Sequence, residues 1–525
     1  MGRQPMKYVR VTTARGSVVA LFLLAGSIPA IWGGDWPMWR HDAARSAYTS
    51  DALPTTLELQ WVLELPPLEK AWPNEPRITF DEAYSPVVVG NTMYISSSFF
   101  DSIRAYDTET ATELWCFYTN GPARLAPVVD NGHVYCATDD GYLYCLDGST
   151  GELVWKFKAA PSSRKCIGNK RLCSVWPARG GPVIINTTVY VSAGIWPFMG
   201  VFVYALDAGT GDVIWRNDGS GAIYMDQPHS GAVAFSGIAP QGYLTVSGNT
   251  LLVPNGRAPA AALDRTTGEL LYFRHSENHR EATAHVAAVG SYFNNCNQLM
   301  NLGDGSVVTG GLANGAVLTS DTAYVGSIEA INIPALTSKW TYAASGYKPY
   351  CKAGSYVYAG KTDGIIAIED TGSSGVERWS KTIVGTPADM IAADDKLIVS
   401  TVEGYIYCFG VDTGASLPAP TTIFAAGDDW KYFKGTSFPG SDWNTIGFND
   451  NAWLTGPSGI GYGDGDDATV LSDMENNYIT VYMRKTFTVT DPDLVSGLNF
   501  TVDYDDGFVA FVNGTEVLRL SLIHI

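Results

Sequence analysis

Along most of the chain, apolar and polar residues alternate in short runs broken by Gly, Asp and Asn, the pattern of half-buried β-strands joined by tight turns. The clearest stretch reads Pro127-Val128-Val129, a turn at Asp130-Asn131-Gly132, His133-Val134-Tyr135, then Gly141-Tyr142-Leu143-Tyr144-Cys145-Leu146-Asp147, and after Thr150-Gly151 a last run Leu153-Val154-Trp155. In the final turn the Asp147 carboxylate can accept backbone N–H groups, Gly151 can take a positive φ, and Trp155 can fill space between neighbouring sheets. This four-strand unit recurs. First strands begin near Pro86, Pro127, Pro182, Tyr243, Ala316, Cys351 and Ile391, and outer strands carry Trp61, Trp115, Trp155, Trp215, Tyr272, Trp340 and Trp379. The two series are offset: Trp61 precedes the first unit, and the last unit, ending Tyr405-Ile406-Tyr407-Cys408, has no outer strand after it. A ring explains the offset, because the N-terminal strand then completes the last sheet and the ends fasten to each other. The pattern predicts an all-β fold, a seven-bladed β-propeller over 34–415 with residues 57–64 as the closing strand. An open β-solenoid would not need the offset.

The unit Ala205-Leu206-Asp207-Ala208-Gly209-Thr210-Gly211-Asp212-Val213-Ile214-Trp215, the related Ala262-Leu263-Asp264-Arg265-Thr266-Thr267-Gly268 and the leader Asp35-Trp36-Pro37-Met38-Trp39-Arg40 resemble the PQQ-repeat (quinoprotein-like) propellers of exported bacterial proteins. For fold the resemblance is specific. For activity it implies less, since that family holds cofactor-dependent dehydrogenases, outer-membrane assembly scaffolds and members without known activity. Its alcohol dehydrogenases generally have eight blades and an adjacent cysteine pair at the cofactor, and against these stand the seven repeats counted above and the absence of adjacent cysteines. Past a linker at 416–426, residues 427–525 resemble a galactose-binding-like β-sandwich in Trp430-Lys431-Tyr432, Phe448-Asn449-Asp450-Asn451-Ala452-Trp453, Tyr482-Met483-Arg484-Lys485-Thr486-Phe487 and Tyr504-Asp505-Asp506-Gly507-Phe508. The pattern stops at Asn513-Gly514-Thr515-Glu516-Val517, where the resembling domains continue, so a partial, jelly-roll-like sandwich is expected.

With 46% hydrophobic and 17% charged residues, the 525-residue chain can bury a large core, which excludes disorder. A formal charge of −19 argues against broad binding to nucleic acid or to an anionic membrane face. Arg3, Lys7, Arg10 and Arg15, followed by an apolar run from Val18 to Ile28, predict a signal peptide and leader over 1–33 and hence a secreted or periplasmic protein without a membrane span. The eight cysteines form no C-x-x-C spacing, and Cys166 and Cys173, flanking a polar loop, are expected as a disulfide, with two free thiols as the alternative.

The longest connections, 158–179, 216–240 and 273–313, all emerge on one face, and elaborated loops on a rigid ring are where function concentrates. Residues entering the innermost strands there are Arg124, Arg179, Gln241, Asn314, Lys348 and Asp389, and loops within blades add Trp196, Arg257 and Lys361. Five cations against Asp389 predict a locally positive funnel for an anion, with pairing between blades as the alternative use. Asp226 and His229 offer a carboxylate and an imidazole for acid–base work, although ordering of their loop is the plainer role. His275, His279 and His285 offer metal-ligand chemistry, and a solvated charged loop explains them equally well. Taken together, these features favour an exported binding or scaffolding module for an anionic small molecule, a saccharide or another envelope protein, without a cofactor, the sandwich serving as an accessory carbohydrate binder. The alternative is a quinoprotein oxidoreductase using PQQ and calcium.

Overall fold

The computed structural model describes every residue except 1–6, 12–33, 169, 229–230, 276–281, 344, 412–422, 464, 466, 489–497, 503–506 and 521–525, so the apolar run of the expected signal peptide lies outside the described residues. The chain divides into two compact units, 21–415 and 1–20 together with 416–525.

In the larger unit the described residues form eight blades of four antiparallel strands rather than seven; blades 3 and 7 each gain a short parallel fifth strand, Gly242–Tyr243 and Tyr48–Thr49, and two hairpins, Lys165–Gly168 with Arg171–Ser174 and Ile223–Asp226 with Val233–Ser236, form separate sheets. Blades 1 to 7 are built from consecutive strands within 87–118, 128–158, 180–217, 245–272, 287–310, 317–341 and 348–382. Blade 8 takes three strands from 387–410 and its fourth, Glu58–Glu64, from the start of the ring. Trp61 there pairs with Cys408, so the N-terminal strand does close the circle.

Seven of the eight blades grip the next through one aromatic side chain on the outer strand. The indole N–H of Trp115 donates to Gly148 O at 2.9 Å, that of Trp155 to Ala208 O at 3.2 Å, and that of Trp215 to Arg265 O at 2.9 Å, always in the last turn of the following blade. Trp61, Trp379 and the Tyr272 hydroxyl repeat the bond to Thr108 O, Leu57 O and Leu302 O, and Trp340 makes it to the Asp370 carboxylate. The ring then lies flat against the turn glycine. A Cβ on Gly268, whose φ is +76°, would sit 2.5 Å from the Trp215 ring, so the turn needs glycine for both its backbone and its neighbour. Asp147 Oδ1 accepts from the Ser149 hydroxyl and from the N–H groups of Thr150 and Ser149, and these bonds hold its carboxyl down at about 2.

Blade 5 is the one the repeat count misses. Its outer strand, Val307–Gly310, reads VVTG with no aromatic, and its third strand ends at Asn301 instead of Asp. Asn301 Oδ1 nevertheless accepts from the Gly303 N–H at 2.7 Å, as Asp does elsewhere. The stretch 273–313 is therefore a connection followed by a complete blade, and the interface from blade 5 to blade 6 is the one without an aromatic rivet.

In the smaller unit Asp429–Lys434 pairs with both Leu454–Pro457 and Val481–Arg484, around a core of Tyr432, Leu471 and Tyr478. Beside this lie a parallel pair, Ile460–Gly461 with Thr469–Val470, a hairpin, Phe508–Val512 with Thr515–Leu520, and the pairing of Lys7–Val11 with Leu498–Val502. These are small separate sheets.

Candidate functional site

The leader 34–49 runs around the axis of the ring and bonds to one blade after another. Innermost-strand N–H groups of Val129, Val246, Ala288, Leu318 and Lys352 donate to the carbonyls of Pro37, Ala43, Ala44, Ser46 and Ala47 at 2.7–2.9 Å, and Trp36 and Val88 bond each other in both directions. Blade 3 is reached by a side chain: Arg45, fully buried, donates to Pro182 O, Leu244 O and Trp39 O at 2.8–3.0 Å. Arg40 donates to Arg45 O and to Gly315 O and Ala316 O. Burial lowers both guanidinium groups to about 10, which still leaves them charged at neutral pH. The winding requires left-handed backbone at Arg40, His41, Arg45 and Ala47, an unfavourable geometry that these bonds offset. Trp39 stacks on Tyr243, ring centroids 4.0 Å apart.

Asp389 faces this plug. It lies on the innermost strand of blade 8, half-buried, near the Arg40 charge and hydrogen-bonded to Ser85 and to the Met390 N–H. Burial outweighs those partners and raises its carboxyl to about 7. Close by, burial raises Glu82 against the pull of Lys70 and Lys348.

The connection 66–86 covers the loop-rich face and completes a buried ionic layer. Arg179 donates from both Nε and Nη2 to the two oxygens of Asp139, each at 2.9 Å, and Arg124 donates to Asp139 Oδ2 and to Asp81 Oδ2 at 2.7 Å each. Burial acts to raise Asp139, but Arg179 and Arg124 overcome it and hold the carboxyl below the usual range. For Asp81 burial wins and its pKa is raised: Oδ2 takes the Arg124 and Ala71 bonds, while Oδ1 is buried with no partner. Trp72 seals the layer, its indole N–H on the Gln241 carbonyl oxygen, its ring 5.9 Å from Arg179 and edge-on to Trp196.

The residues expected at the funnel thus separate into two sets. Arg124, Arg179 and Gln241 are buried and already partnered, the alternative use named for them, and Asn314 exchanges 2.9 Å side-chain-to-backbone bonds with Asn297. Arg257 stays 66% exposed with Glu75 at 3.4 Å, Lys348 is exposed, Lys361 lies 4.6 Å from the Tyr347 ring, and Trp196 is 44% exposed. Asp226 is exposed on the hairpin 223–236, and His229 and His279 lie outside the described residues. His275 stacks on Phe273 and is lowered by burial; His285, lowered by burial to about 4, sits edge-on to Trp39. Among the described residues no group of three or more His, Cys, Asp or Glu is placed to hold a metal. Cys166 and Cys173 face each other across the hairpin 165–174 as thiols, their sulfurs 3.7 Å apart. Reasoning from sequence missed Asp81, Asp139, Trp72 and Arg45. Asp139 had a signal: it follows the second strand of blade 2, the same register that singled out Trp196, Arg257 and Lys361.

PQQ, the cofactor the resemblance implies, is a planar quinone bearing carboxylates. Among the exposed residues of that face, Arg257, Lys348 and Lys361 are of a type that pairs with carboxylates, and Trp196 has a flat ring. Calcium takes about six to eight oxygen ligands, carbonyl and water oxygens among them, and among the described residues no three carboxylates converge on such a site.

Several known proteins are similar to parts of this chain. The dehydrogenase subunit of a quinone alcohol dehydrogenase from Gluconobacter oxydans is 30% identical over 161 residues, 28% of this chain and 21% of that protein. A tetrathionate hydrolase from Acidithiobacillus ferrooxidans is 28% identical over 164 residues, 30% of this chain and 29% of the relative. A quinohemoprotein alcohol dehydrogenase from Comamonas testosteroni is 28% identical over 198 residues, 35% of this chain and 25% of that protein. The matched region is thus under a third of each relative's length. The crystal structure of the quinohemoprotein alcohol dehydrogenase from Comamonas testosteroni aligns with a TM-score of 0.51 at 14% identity, over 75% of this chain and 83% of that one, a likeness of fold. Residues 38–172 and 171–417 match the PQQ-repeat family described as outer membrane protein assembly factor BamB, and it is to this family of quinoprotein-like propellers that the chain belongs.

Proposed function

We propose that the protein is an oxidoreductase of the quinoprotein type, secreted or periplasmic, which holds a planar, carboxylate-bearing quinone on the loop-rich face of its ring and oxidises an alcohol-class substrate. Two findings support this reading over simple binding. The local relatives include quinone-dependent alcohol dehydrogenases, and the eighth blade removes one of the two features that set the chain apart from such enzymes. The observation that carries it is Asp389, a half-buried carboxyl raised to about 7 on the axis, on the face that presents exposed cations.

A quinone, when bound, supplies acceptance of two electrons. The chain's own residues do the rest. Arg257, Lys348 and Lys361 neutralise carboxylates, and Trp196 offers a flat apolar wall. Asp389 takes the proton of the substrate hydroxyl: near pH 7 half of the molecules carry it ionised, so it can accept a proton and return it to solvent. Arg40, fixed to the carbonyls of Arg45, Gly315 and Ala316, keeps a positive charge near that carboxylate.

A second reading is ligand binding without turnover, but it has lost two of the cations it called on, because Arg124 and Arg179 are already partnered by Asp139 and Asp81. Dye reduction with primary alcohols, with PQQ and Ca²⁺ supplied, separates the two. The oxidoreductase reading expects turnover that rises with an apparent pKa near 7 and is lost in Asp389→Asn. Absence of turnover from pH 5 to 9 in folded protein sinks it in favour of binding.

A further inference from the structure

Between Glu152 and Asp207 the sequence contains no acidic residue and seven basic ones, Lys156, Lys158, Arg164, Lys165, Lys170, Arg171 and Arg179, in a chain whose net charge is −19. Only Arg179 belongs to the buried ionic layer. The rest lie on the outer strand of blade 2 and on the hairpin Lys165–Gly168 with Arg171–Ser174 that follows it. The hairpin has a firm base: Ser174 N–H donates to Asp139 O at 2.6 Å and Val175 N–H to Arg164 O at 3.0 Å. Toward solvent it presents apolar side chains among the cations. Ile167 is 82% exposed and Leu172 55%, while Arg164 and Lys165 are exposed. The Lys170 side chain, 82% exposed, approaches one carboxylate, Glu69, at 3.9 Å. Arg171 pairs with Asp101 and adds little free charge. Phe198, 83% exposed, stands on the same face, its loop tied to the foot of the hairpin by the 2.7 Å bond from Trp176 Nε1 to Met199 O.

We infer that this hairpin docks the propeller onto an anionic lipid surface, Ile167, Leu172 and Phe198 entering the headgroup region and Arg164, Lys165 and Lys170 pairing with lipid phosphates. Cations alone would suit any polyanion. Bare aliphatic tips beside them suit a surface that is anionic outside and apolar beneath. The acidic body of the protein does not oppose this, because charges more than about 8 Å apart are largely screened at physiological salt. The inference is independent of the proposed redox activity.

The test is co-sedimentation of the full chain with vesicles of phosphatidylcholine alone and with about a third phosphatidylglycerol. Binding is expected only to the anionic vesicles and should weaken at 0.5 M salt. Each lysine near such a surface contributes about fivefold to partitioning, so Lys165→Ala with Lys170→Ala should lower it roughly 25-fold, and Ile167→Ser by roughly tenfold. Lys381→Ala, on the outer strand of blade 7, should leave binding unchanged. All these side chains reach solvent, so melting temperatures should match the parent and report folding. Equal binding to neutral vesicles, or no loss in the hairpin variants, overturns the inference. So does binding to dextran sulfate with the same residue dependence but no binding to vesicles, which would assign the hairpin to an acidic glycan.

Discussion

Replacing Arg179 by alanine is the sharpest probe of the axis, because two readings of that residue differ in the size of the stability loss. An anion-binding Arg179 could be removed with little effect on stability. In the structure it makes both 2.9 Å bonds to Asp139, leaving Arg124 as the remaining cation on that carboxylate. Breaking a buried pair from one side costs about 3–5 kcal/mol, most of it the unpaired charge left behind. With an unfolding entropy of about 2.1 cal/mol/K per residue spread over 34–415, that cost lowers the melting temperature by about 4–6 °C. Arg257→Ala serves as the contrast: its 3.4 Å contact with Glu75 is exposed and contributes about 0–1 kcal/mol, a shift of no more than about 1 °C. The Arg179 deficit also has a pH signature. Asp139 has a depressed folded pKa, so its pairing stabilises the fold above the ordinary carboxylate range and is lost as pH falls through the folded value; the deficit should narrow below about pH 4. Calorimetry of parent, R179A and R257A at neutral and acid pH reads all three effects. An R179A melting temperature within about 1 °C of the parent at pH 7 refutes the buried-layer account.

Further predictions concern the rivets, Asp389 and the cysteine pair. Trp215→Ala removes the indole lying on Gly268 and its bond to Arg265 O, and should cost about 3–5 kcal/mol in urea unfolding; a loss under about 1 kcal/mol would mean the rivets do not hold neighbouring blades. Asp389, raised from 3.8 to about 7, keeps a proton that the unfolded chain releases, so parent stability should fall as pH rises from about 4 to 7; Asp389→Asn should remove that fall, and parallel stability curves would contradict the raised pKa. Cys166 and Cys173 are proposed to form a disulfide in an oxidising compartment, so unreduced, denatured protein made there should titrate six thiols and reduced protein all eight; eight in both would leave the pair as thiols.

The ring could be read from the chain because its rivets are written in rare residues. Trp and the Asp-x-x-Thr-Gly turn sit at fixed spacing, and the offset between Trp61 and the last three-stranded unit already implied closure. Blade 5 escaped because Val307–Gly310 and Asn301 do the same structural work with common residues, so the repeat lost its markers while keeping its hydrogen bonds. The site was only half legible. Register along the innermost strands located Arg124, Arg179 and Asp389 on the axis, but which cation meets which carboxylate depends on loops distant in sequence. Asp81 comes from the connection before blade 1 and Asp139 from within blade 2, and their meeting at Arg124 is a property of the closed circle. Arg45, wound into the axis by left-handed backbone at four leader positions, has no sequence signal of this kind.

The central functional claim, that the exposed cations of the loop-rich face receive a planar, carboxylate-bearing quinone, is most directly tested by calorimetric titration of the full chain with PQQ, with and without Ca²⁺. Saturable binding of one PQQ per chain is expected, retained through desalting and weakened at least tenfold in Arg257→Ala with Lys361→Ala, a drop set by the loss of two charge-assisted contacts of about 1 kcal/mol or more each. Folded protein that shows no saturable heat and keeps no quinone absorbance after desalting would contradict it.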